Sequence, residues 1–186
     1  MTQTPASIVV LIGLRGAGKT TLGKALAAEL SRPFEDLDAL ALATTSASSV
    51  TELFAREGEA TWRALEAASF EAALGKDDLV LALGGGAPMV ESIRTRIEQA
   101  REAGRMRVLW IDAKDEVLAA RIGDQDSGRP PLLKDDSNQI LDPLAECRAL
   151  RKQRSHTFGA LADVLIDSEG APEDILRQLL QASCPG

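Results

Sequence analysis

The residues best suited to chemistry lie between positions 13 and 20, where the sequence reads GLRGAGKT. This order matches the phosphate-binding loop pattern G-x-x-x-x-G-K-S/T. In such a loop the glycines let backbone N–H groups wrap around a phosphate, and the N-terminus of the following helix adds partial positive charge. Lys19 is then placed to reach the β- and γ-phosphates, and Thr20 to ligate Mg²⁺. The motif predicts a protein that binds a nucleoside triphosphate.

Two carboxylates, Asp36 and Asp38, follow at the end of a short predicted strand. Side chains two residues apart on a strand point to the same face, so both are expected to face the triphosphate. Neighbouring anions repel, and a Mg²⁺ ion for one with a substrate hydroxyl for the other would relieve this. The structural alternative is that Asp38 caps the following helix while Asp36 lies in solvent.

Two further features suit the recognition of a small molecule. The run Gly84-Gly85-Gly86 ends the third predicted strand and permits close approach of a ligand to the backbone. Trp62 and Arg63 are adjacent in a predicted helix, and together they offer an apolar face and a fork of donors that suits a carboxylate. The plainer alternatives are a flexible turn for the glycines and an ion pair of Arg63 with Glu59 or Glu66 on an exposed helix.

Arg129 lies in a polar segment, residues 124–136, that is rich in Gly, Pro and Asp. A loop that carries an arginine has the form of a lid that closes over phosphates. The alternative is an ordinary polar surface loop. Arg121 stands just before this segment, and Arg154 belongs to a basic run on a later predicted helix.

Short apolar runs alternating with longer helical patterns must hold these residues in place. The runs predict five strands, at residues 8–12, 34–37, 79–83, 106–111 and 162–166. Helices are predicted after the phosphate loop and at residues 50–74 (with an interruption near Gly58), 90–103, 113–122, 142–158 and 172–182. Such alternation indicates a parallel sheet with helices on both faces. Ligands of these sheets bind at the carboxyl ends of the strands, which is where the motifs fall.

Composition limits the partners of this chain of 186 residues, which has the length of one domain. It carries 28 acidic and 21 basic residues, a net charge of -7, and only 3% aromatic residues. We therefore expect neither nucleic acid nor an anionic membrane as a partner. Cys147 and Cys184 fit no metal-ligand spacing. No apolar run approaches the ~20 residues of a membrane span, and no signal-peptide pattern is present, so a cytoplasmic protein is expected.

Taken in order, these motifs resemble the shikimate kinase family of small P-loop kinases. The matching segments are 13–20, 34–38, 52–66, 83–87, 129–130 and 154–158, so the resemblance runs over nearly the whole chain. It implies an α/β protein with the P-loop kinase fold, a three-layer α/β/α sandwich around a five-stranded parallel sheet in the order 2-3-1-4-5. A single domain would span residues 1–186, with residues 38–75 as the substrate-binding region and residues 124–135 as the lid.

The same resemblance implies transfer of the γ-phosphoryl group of ATP to the 3-hydroxyl of shikimate, with Mg²⁺, by a monomer of aromatic amino-acid biosynthesis. The catalytic residues it implies are Lys19, Asp38 and Arg129. The nucleotide-binding residues it implies are Gly13, Arg15, Gly16, Ala17, Gly18, Lys19, Thr20, Thr21 and Arg121, the last stacking on adenine. The substrate-binding residues it implies are Asp38, Arg63, Gly84, Gly85, Gly86 and Arg154. The metal-binding residues it implies are Thr20 and Asp36. The sequence departs from the family at Arg15, where the loop more often carries a small residue or proline.

Two other functions fit part of the pattern. A kinase for another small hydroxy acid, such as gluconate, could use Asp38, Arg63 and Arg154 equally well, because these residues do not distinguish a ring from a chain. A non-catalytic ligand-binding module could keep the same fold, but it would be expected to lose the lysine or an aspartate. Lys19 and both aspartates are present in this chain.

Overall fold

Five parallel strands form the centre of the molecule in a computed structural model that describes residues 6–123 and 139–183. The strands are β1 (Ile8–Ile12), β2 (Phe34–Asp36), β3 (Leu79–Ala82), β4 (Met106–Asp112) and β5 (Val164–Asp167). They pair in the order β2-β3-β1-β4-β5, and every neighbouring pair is parallel. The predicted strand order is confirmed.

The central strand, β1, explains why the sheet is a middle layer. Its sequence, IVVLI, has no polar residue, and all five side chains are buried. Because successive side chains of a strand point to opposite faces, burial of every one requires cover on both faces of the sheet. The predicted three-layer α/β/α arrangement is confirmed.

Seven helices surround this sheet in the described ranges. They are α1 (Lys19–Leu30), α2 (Leu37–Ala43), α3 (Val50–Ala73), α4 (Glu91–Glu102), α5 (Asp115–Gly123), α6 (Pro143–Leu161) and α7 (Pro172–Ser183), with a short 3₁₀ turn at Ala87–Met89. Asp142 caps α6 by accepting bonds of 3.0 Å from the N–H groups of Leu144 and Ala145. None of the described helices is both long and apolar enough to span a membrane.

Helix α3 changes direction at Gly58, as the sequence predicts. The backbone there has φ 82° and ψ 170°, a conformation that is open essentially to glycine alone. The first arm begins at the cap Ser49, whose side chain accepts a bond of 3.1 Å from the N–H of Glu52. The second arm carries Trp62 and Arg63, so the bend at Gly58 sets the direction in which these two side chains leave the helix.

The apolar side chains form two separate clusters. The larger cluster surrounds the sheet. The smaller one, called the α2–α3 cluster below, has four buried members and is closed by partly buried neighbours. Its buried members are Ala41, Ala47, Leu53 and Trp62, and its partly buried members are Leu42, Val50, Phe54 and Leu65. Helices α2 and α3 thus have apolar packing of their own at one edge of the molecule.

Candidate active site

The loop between β1 and α1 has the backbone that a phosphate-binding loop requires. Gly13 and Gly16 have φ values of 148° and 82°. A Cβ atom on Gly16 would lie 2.8 Å from the carbonyl oxygen of Leu118, and one on Gly13 would overlap the carbonyl oxygen of Ile111. Gly18 then caps α1 with φ 89°. The glycines of the motif are needed because the loop bends sharply and packs closely against β4 and α5.

Lys19 extends back over this loop. Its Nζ donates bonds of 2.9 Å to the carbonyl oxygens of Gly13 and Leu14. The first turn of α1 contains no acidic residue, so no carboxylate of that turn opposes an anion at the helix N-terminus. The ammonium group and the partial positive charge of the helix therefore act on the same space above the loop.

Asp36 and Asp38 are close, but not for the reason that the strand pattern suggests. Strand β2 ends at Asp36, and Asp38 lies in the first turn of α2. The expectation of two carboxylates on one face of a strand is therefore wrong. Asp36 is the cap of α2, accepting bonds from the N–H groups of Asp38 (3.1 Å) and Ala39 (3.4 Å). The cap is thus Asp36 rather than Asp38, because the helix begins two residues earlier than a cap at Asp38 would require.

The second carboxylate oxygen of Asp36 faces α1. It accepts a bond of 2.9 Å from the hydroxyl of Thr20, so the two predicted metal ligands are neighbours. Both supply oxygen atoms, which are the ligands that Mg²⁺ prefers. In the described part of the chain, no group of three or more His, Cys, Asp or Glu residues could hold a metal by itself. The pair fits an ion that takes its remaining ligands from phosphates and water.

A cavity opens directly above the loop, and we call it the loop cavity. Of the predicted nucleotide-binding residues, all but Gly13 line it, and so do both aspartates. Gly13, the first residue of the loop, is buried and does not reach the cavity. Leu83, just after β3, also lines it, and sequence analysis missed the far wall, which consists of Ser168, Gly170, Pro172 and Ile175. The only signal for this wall was its position after the last strand, at the carboxyl edge of the sheet.

Arg121 joins the loop to this far wall. Its Nη1 donates to the carbonyl oxygen of Gly16 (3.3 Å) and to the hydroxyl of Ser168 (3.0 Å). Its Nη2 donates to the carbonyl oxygen of Ser168 at 2.7 Å. Hydrogen bonds of a guanidinium lie in its plane, so they orient the flat group while leaving its faces for stacking.

A second cavity, which we call the arginine cavity, adjoins the first. It holds the whole predicted substrate-binding set, namely Asp38, Arg63, Gly84, Gly85, Gly86 and Arg154. Arg15 and Glu66 also line it, and Val50, Phe54 and Trp62 of the α2–α3 region form its apolar part. Residues that lie far apart in the chain meet here because β3 ends beside α3 and α6.

The two predicted carboxylate-binding arginines are held in different ways. Arg154 is buried, and its Nη1 donates a bond of 2.9 Å to the carbonyl oxygen of Gly85. Burial, and then the positive charge of Arg63, lower its pKa. Arg63 donates to Glu59 from Nε (3.1 Å) and Nη2 (2.8 Å), and to Glu66 from Nη1 at 2.6 Å. The ion pairs considered as an alternative role for Arg63 exist, and Arg63 lines the cavity as well.

Glu66 is the functional candidate that sequence analysis passed over. It is only 1% exposed, and burial raises its pKa to about 7, with the nearby charge of Asp38 adding to the effect of burial. A Cβ atom on Gly84 would collide with the carboxylates of both Asp38 and Glu66. The spacing of Glu66 three residues after Arg63 could have indicated their contact, but not the burial of the pair.

Arg129 and the predicted lid, residues 124–135, lie outside the described residues. Cys184 also lies outside them, while Cys147 is buried and free of disulfide bonds.

Comparisons with known proteins agree with this geometry. A family model described as shikimate kinase matches residues 15–183. The chain is 38% identical to a shikimate kinase of Synechococcus sp. (strain JA-3-3Ab), over 95% of this chain and 87% of that protein. Its fold is similar to the solved structure of a shikimate kinase from Acinetobacter baumannii in complex with shikimate. The TM-score is 0.81 at 30% identity, covering 95% of this chain and 92% of the other.

A more distant likeness shows the fold alone. A gluconokinase from Sinorhizobium meliloti matches with a TM-score of 0.59 and 20% identity, over 96% of this chain and 91% of the other. The fold is thus shared with a kinase that carries another substrate's name, and the choice between the two acceptors depends on the site rather than on the fold.

Proposed function

Because the chain belongs to the shikimate kinase family, we propose that it transfers the γ-phosphoryl group of ATP to the 3-hydroxyl of shikimate. The products would be ADP and shikimate 3-phosphate, as a step of aromatic amino-acid biosynthesis. One observation carries the proposal: a phosphate loop and a cavity with two arginines for a carboxylate lie side by side, with Asp38 lining both.

The loop cavity would take the triphosphate of ATP. Backbone N–H groups of residues 13–18 surround the phosphates, and Lys19 leaves its carbonyl partners to bind the β- and γ-phosphates. Arg121 offers the face of its guanidinium to the adenine while Ser168 and Gly16 hold it in plane. Thr21, in the first turn of α1, lines the same cavity and would lie beside the phosphates.

Thr20 and Asp36 would hold Mg²⁺, with Asp36 acting through water in the ion's shell. The ion supplies neutralisation of the charge on the β- and γ-phosphates when it is bound. The contribution of the chain is to fix two oxygen atoms next to the phosphates, through the cap of α2 and the hydroxyl of α1.

The arginine cavity would take shikimate. Arg63 and Arg154 bind the carboxylate, and the closely packed glycines 84–86 bring backbone groups against the ring. Asp38 accepts a hydrogen bond from the 3-hydroxyl and orients it toward the γ-phosphorus. The hydroxyl oxygen forms the new bond to phosphorus, the bond to the bridging oxygen of ADP breaks, and the hydroxyl proton passes to Asp38. Arg129 would approach the phosphates from the lid.

We further infer that the chain acts as a monomer of one domain in the cytoplasm. Its acidic net charge and scarcity of aromatic residues support small molecules as its partners rather than nucleic acid.

The test is release of ADP from ATP and Mg²⁺ in the presence of shikimate, gluconate or a nucleoside monophosphate. We expect turnover with shikimate. Activity on gluconate or a nucleotide without activity on shikimate would overturn the proposal. Binding of shikimate without turnover would support a binding module instead.

The variant Asp38→Asn refines this test. Removing an acid–base group costs about 10²–10⁴-fold in rate, so kcat should fall in that range. The Kd for ADP should stay near that of the wild type, because the phosphate loop is unchanged. A near-normal kcat would show that the role assigned to Asp38 is wrong.

A further inference from the structure

Among the described residues, Arg15 and Asp38 line both the loop cavity and the arginine cavity. In the proposed reaction, the phosphoryl group must pass from the first cavity to the second. The two shared residues therefore flank the place where that transfer occurs. Asp38 has a role there, whereas Arg15 so far has been assigned only to the nucleotide.

The backbone brings Arg15 to this junction. It is the third residue of the phosphate loop, next to Gly16 with its positive φ. A Cβ atom placed on Gly85 would lie 3.4 Å from the carbonyl oxygen of Gly13 and 3.7 Å from the backbone nitrogen of Arg15. The phosphate loop thus packs against the glycine run of the arginine cavity at Arg15.

The charged side chains at the junction suit the binding of a phosphoryl group during its transfer. Three arginines (Arg15, Arg63 and Arg154) and two carboxylates (Asp38 and Glu66) line the arginine cavity. Arg63 donates to Glu59 and Glu66, and Arg154 donates to the carbonyl oxygen of Gly85. Both of these are predicted to bind the acceptor carboxylate, so neither is assigned to the phosphoryl group. Of the three, Arg15 alone also lines the loop cavity, which is the proposed site of the donor phosphates.

We propose that Arg15 is a catalytic residue whose guanidinium binds the oxygens of the phosphoryl group during transfer and then the phosphate of the product. The inference rests on the proposed function. Charge on the transferred group is spread over its three peripheral oxygens, and a planar fork of donors can bind two of them at once. Lys19 binds the phosphoryl group from the side of ATP, whereas Arg15 stays in contact with it after it has reached the acceptor. At this position the family more often carries a small residue or proline.

The test compares Arg15→Ala and Arg15→Lys with the wild type. Arg148→Ala is the matched control, because it removes an arginine whose partner is the exposed Glu116, away from both cavities. The measurements are kcat at saturating ATP and shikimate, KM for each substrate, and Kd for shikimate and for shikimate 3-phosphate by calorimetry. Thermal melting shows whether each variant folds.

We expect Arg15→Ala to lower kcat by about 10–100-fold. This is less than the roughly 10³–10⁵-fold contribution of an arginine finger, because Lys19 also binds the phosphates. The KM for ATP should change less than about threefold, and the affinity for shikimate 3-phosphate should fall more than that for shikimate. Arg15→Lys should recover only part of kcat, because an ammonium lacks the fork. Arg148→Ala should match the wild type.

Three results would overturn the inference. An unchanged kcat with a raised KM for ATP would make Arg15 a nucleotide-binding residue only. Equal losses of affinity for shikimate and its phosphate would remove the role at the transferred group. If both Arg15 variants lost kcat and both also melted at a lower temperature than the wild type by the same amount, the role of Arg15 would be structural. A wild type that does not phosphorylate shikimate would overturn the proposed function itself, so the two failures are distinguishable.

Discussion

Gly84 is the residue at which two carboxylates and the end of β3 meet. A side chain there would collide with Asp38 and Glu66, which are both buried. We predict that Gly84→Ala raises KM for shikimate at least about tenfold while the Kd for ADP changes little, since a misplacement of about 1 Å in a site can cost 10²-fold. Steady-state kinetics and nucleotide titration provide the measurement.

Gly159→Ala is the control for Gly84→Ala. Gly159 lies in α6, and the nearest atom to an added Cβ is 3.9 Å away, an ordinary contact. Because alanine is the better helix former, this variant should keep full activity and gain stability of up to about 1 kcal/mol. Equal KM values for shikimate in the two variants would contradict the packing described around Gly84.

Glu66 predicts a pH dependence of stability. Its pKa is raised to about 7 from 4.5, chiefly by burial. Between these values the folded protein holds a proton that the unfolded chain has released, so this group's contribution to the free energy of unfolding falls as pH rises. We expect the free energy of unfolding of the wild type to fall relative to that of Glu66→Gln between pH 5 and about 7. Above about pH 8 the difference between the two free energies should become constant. Urea unfolding of both proteins at several pH values measures it; a difference that is flat with pH would contradict it.

At the scale of elements, α3 depends on the bend at Gly58. A Cβ atom there would meet nothing within 4 Å, so the cost of Gly58→Ala comes from backbone conformation alone. Such a conformation costs about 1–3 kcal/mol for a residue with a side chain. We predict a loss of stability in that range together with a raised KM for shikimate, because Trp62 and Arg63 follow the bend.

Gly104→Ala separates strain from function. Gly104 also has positive φ, 68°, and open space around it, but it follows α4 outside both cavities. It should lower stability in chemical denaturation while KM for shikimate stays normal. If Gly58→Ala likewise left KM unchanged, the bend would not position the arginine cavity.

At the scale of the whole molecule, the two apolar clusters predict unequal local stability. The α2–α3 cluster has four buried members, far fewer than the cluster around the sheet. Regions with little buried apolar packing open more readily, so residues 37–73 should exchange backbone amide hydrogens faster than β1. Shikimate should slow exchange in α3 more than in α7, because the proposed shikimate site lies beside α3. Hydrogen-exchange mass spectrometry tests both points, and equal protection of α3 and β1 would contradict them.

Local patterns were sufficient for much of the fold. The order of the strands and of the helices other than α2, the cap at Asp142 and the bend at Gly58 follow from apolar periodicity and from the special backbone properties of a few residue types. The end of β2 was predicted one residue too late, because the side chain of Asp36 accepts hydrogen bonds from two N–H groups of α2 and so ends the strand. These hydrogen bonds favour the helix over the strand, and apolar periodicity does not predict them.

The phosphate loop could be predicted from the sequence alone because its glycines, Lys19 and Thr20 lie within eight residues of the chain. Their chemistry depends on the local geometry of the backbone. The burial of Glu66, the anchoring of Arg121 by Ser168 and the position of Arg15 between two cavities were decided by packing instead. Each depends on segments more than forty residues apart in the chain or on the depth of a side chain below the surface, with Gly85 near Arg15 and Ser168 beside Arg121. Solvation and contact between distant segments arise only when the sheet brings the ends of its strands together.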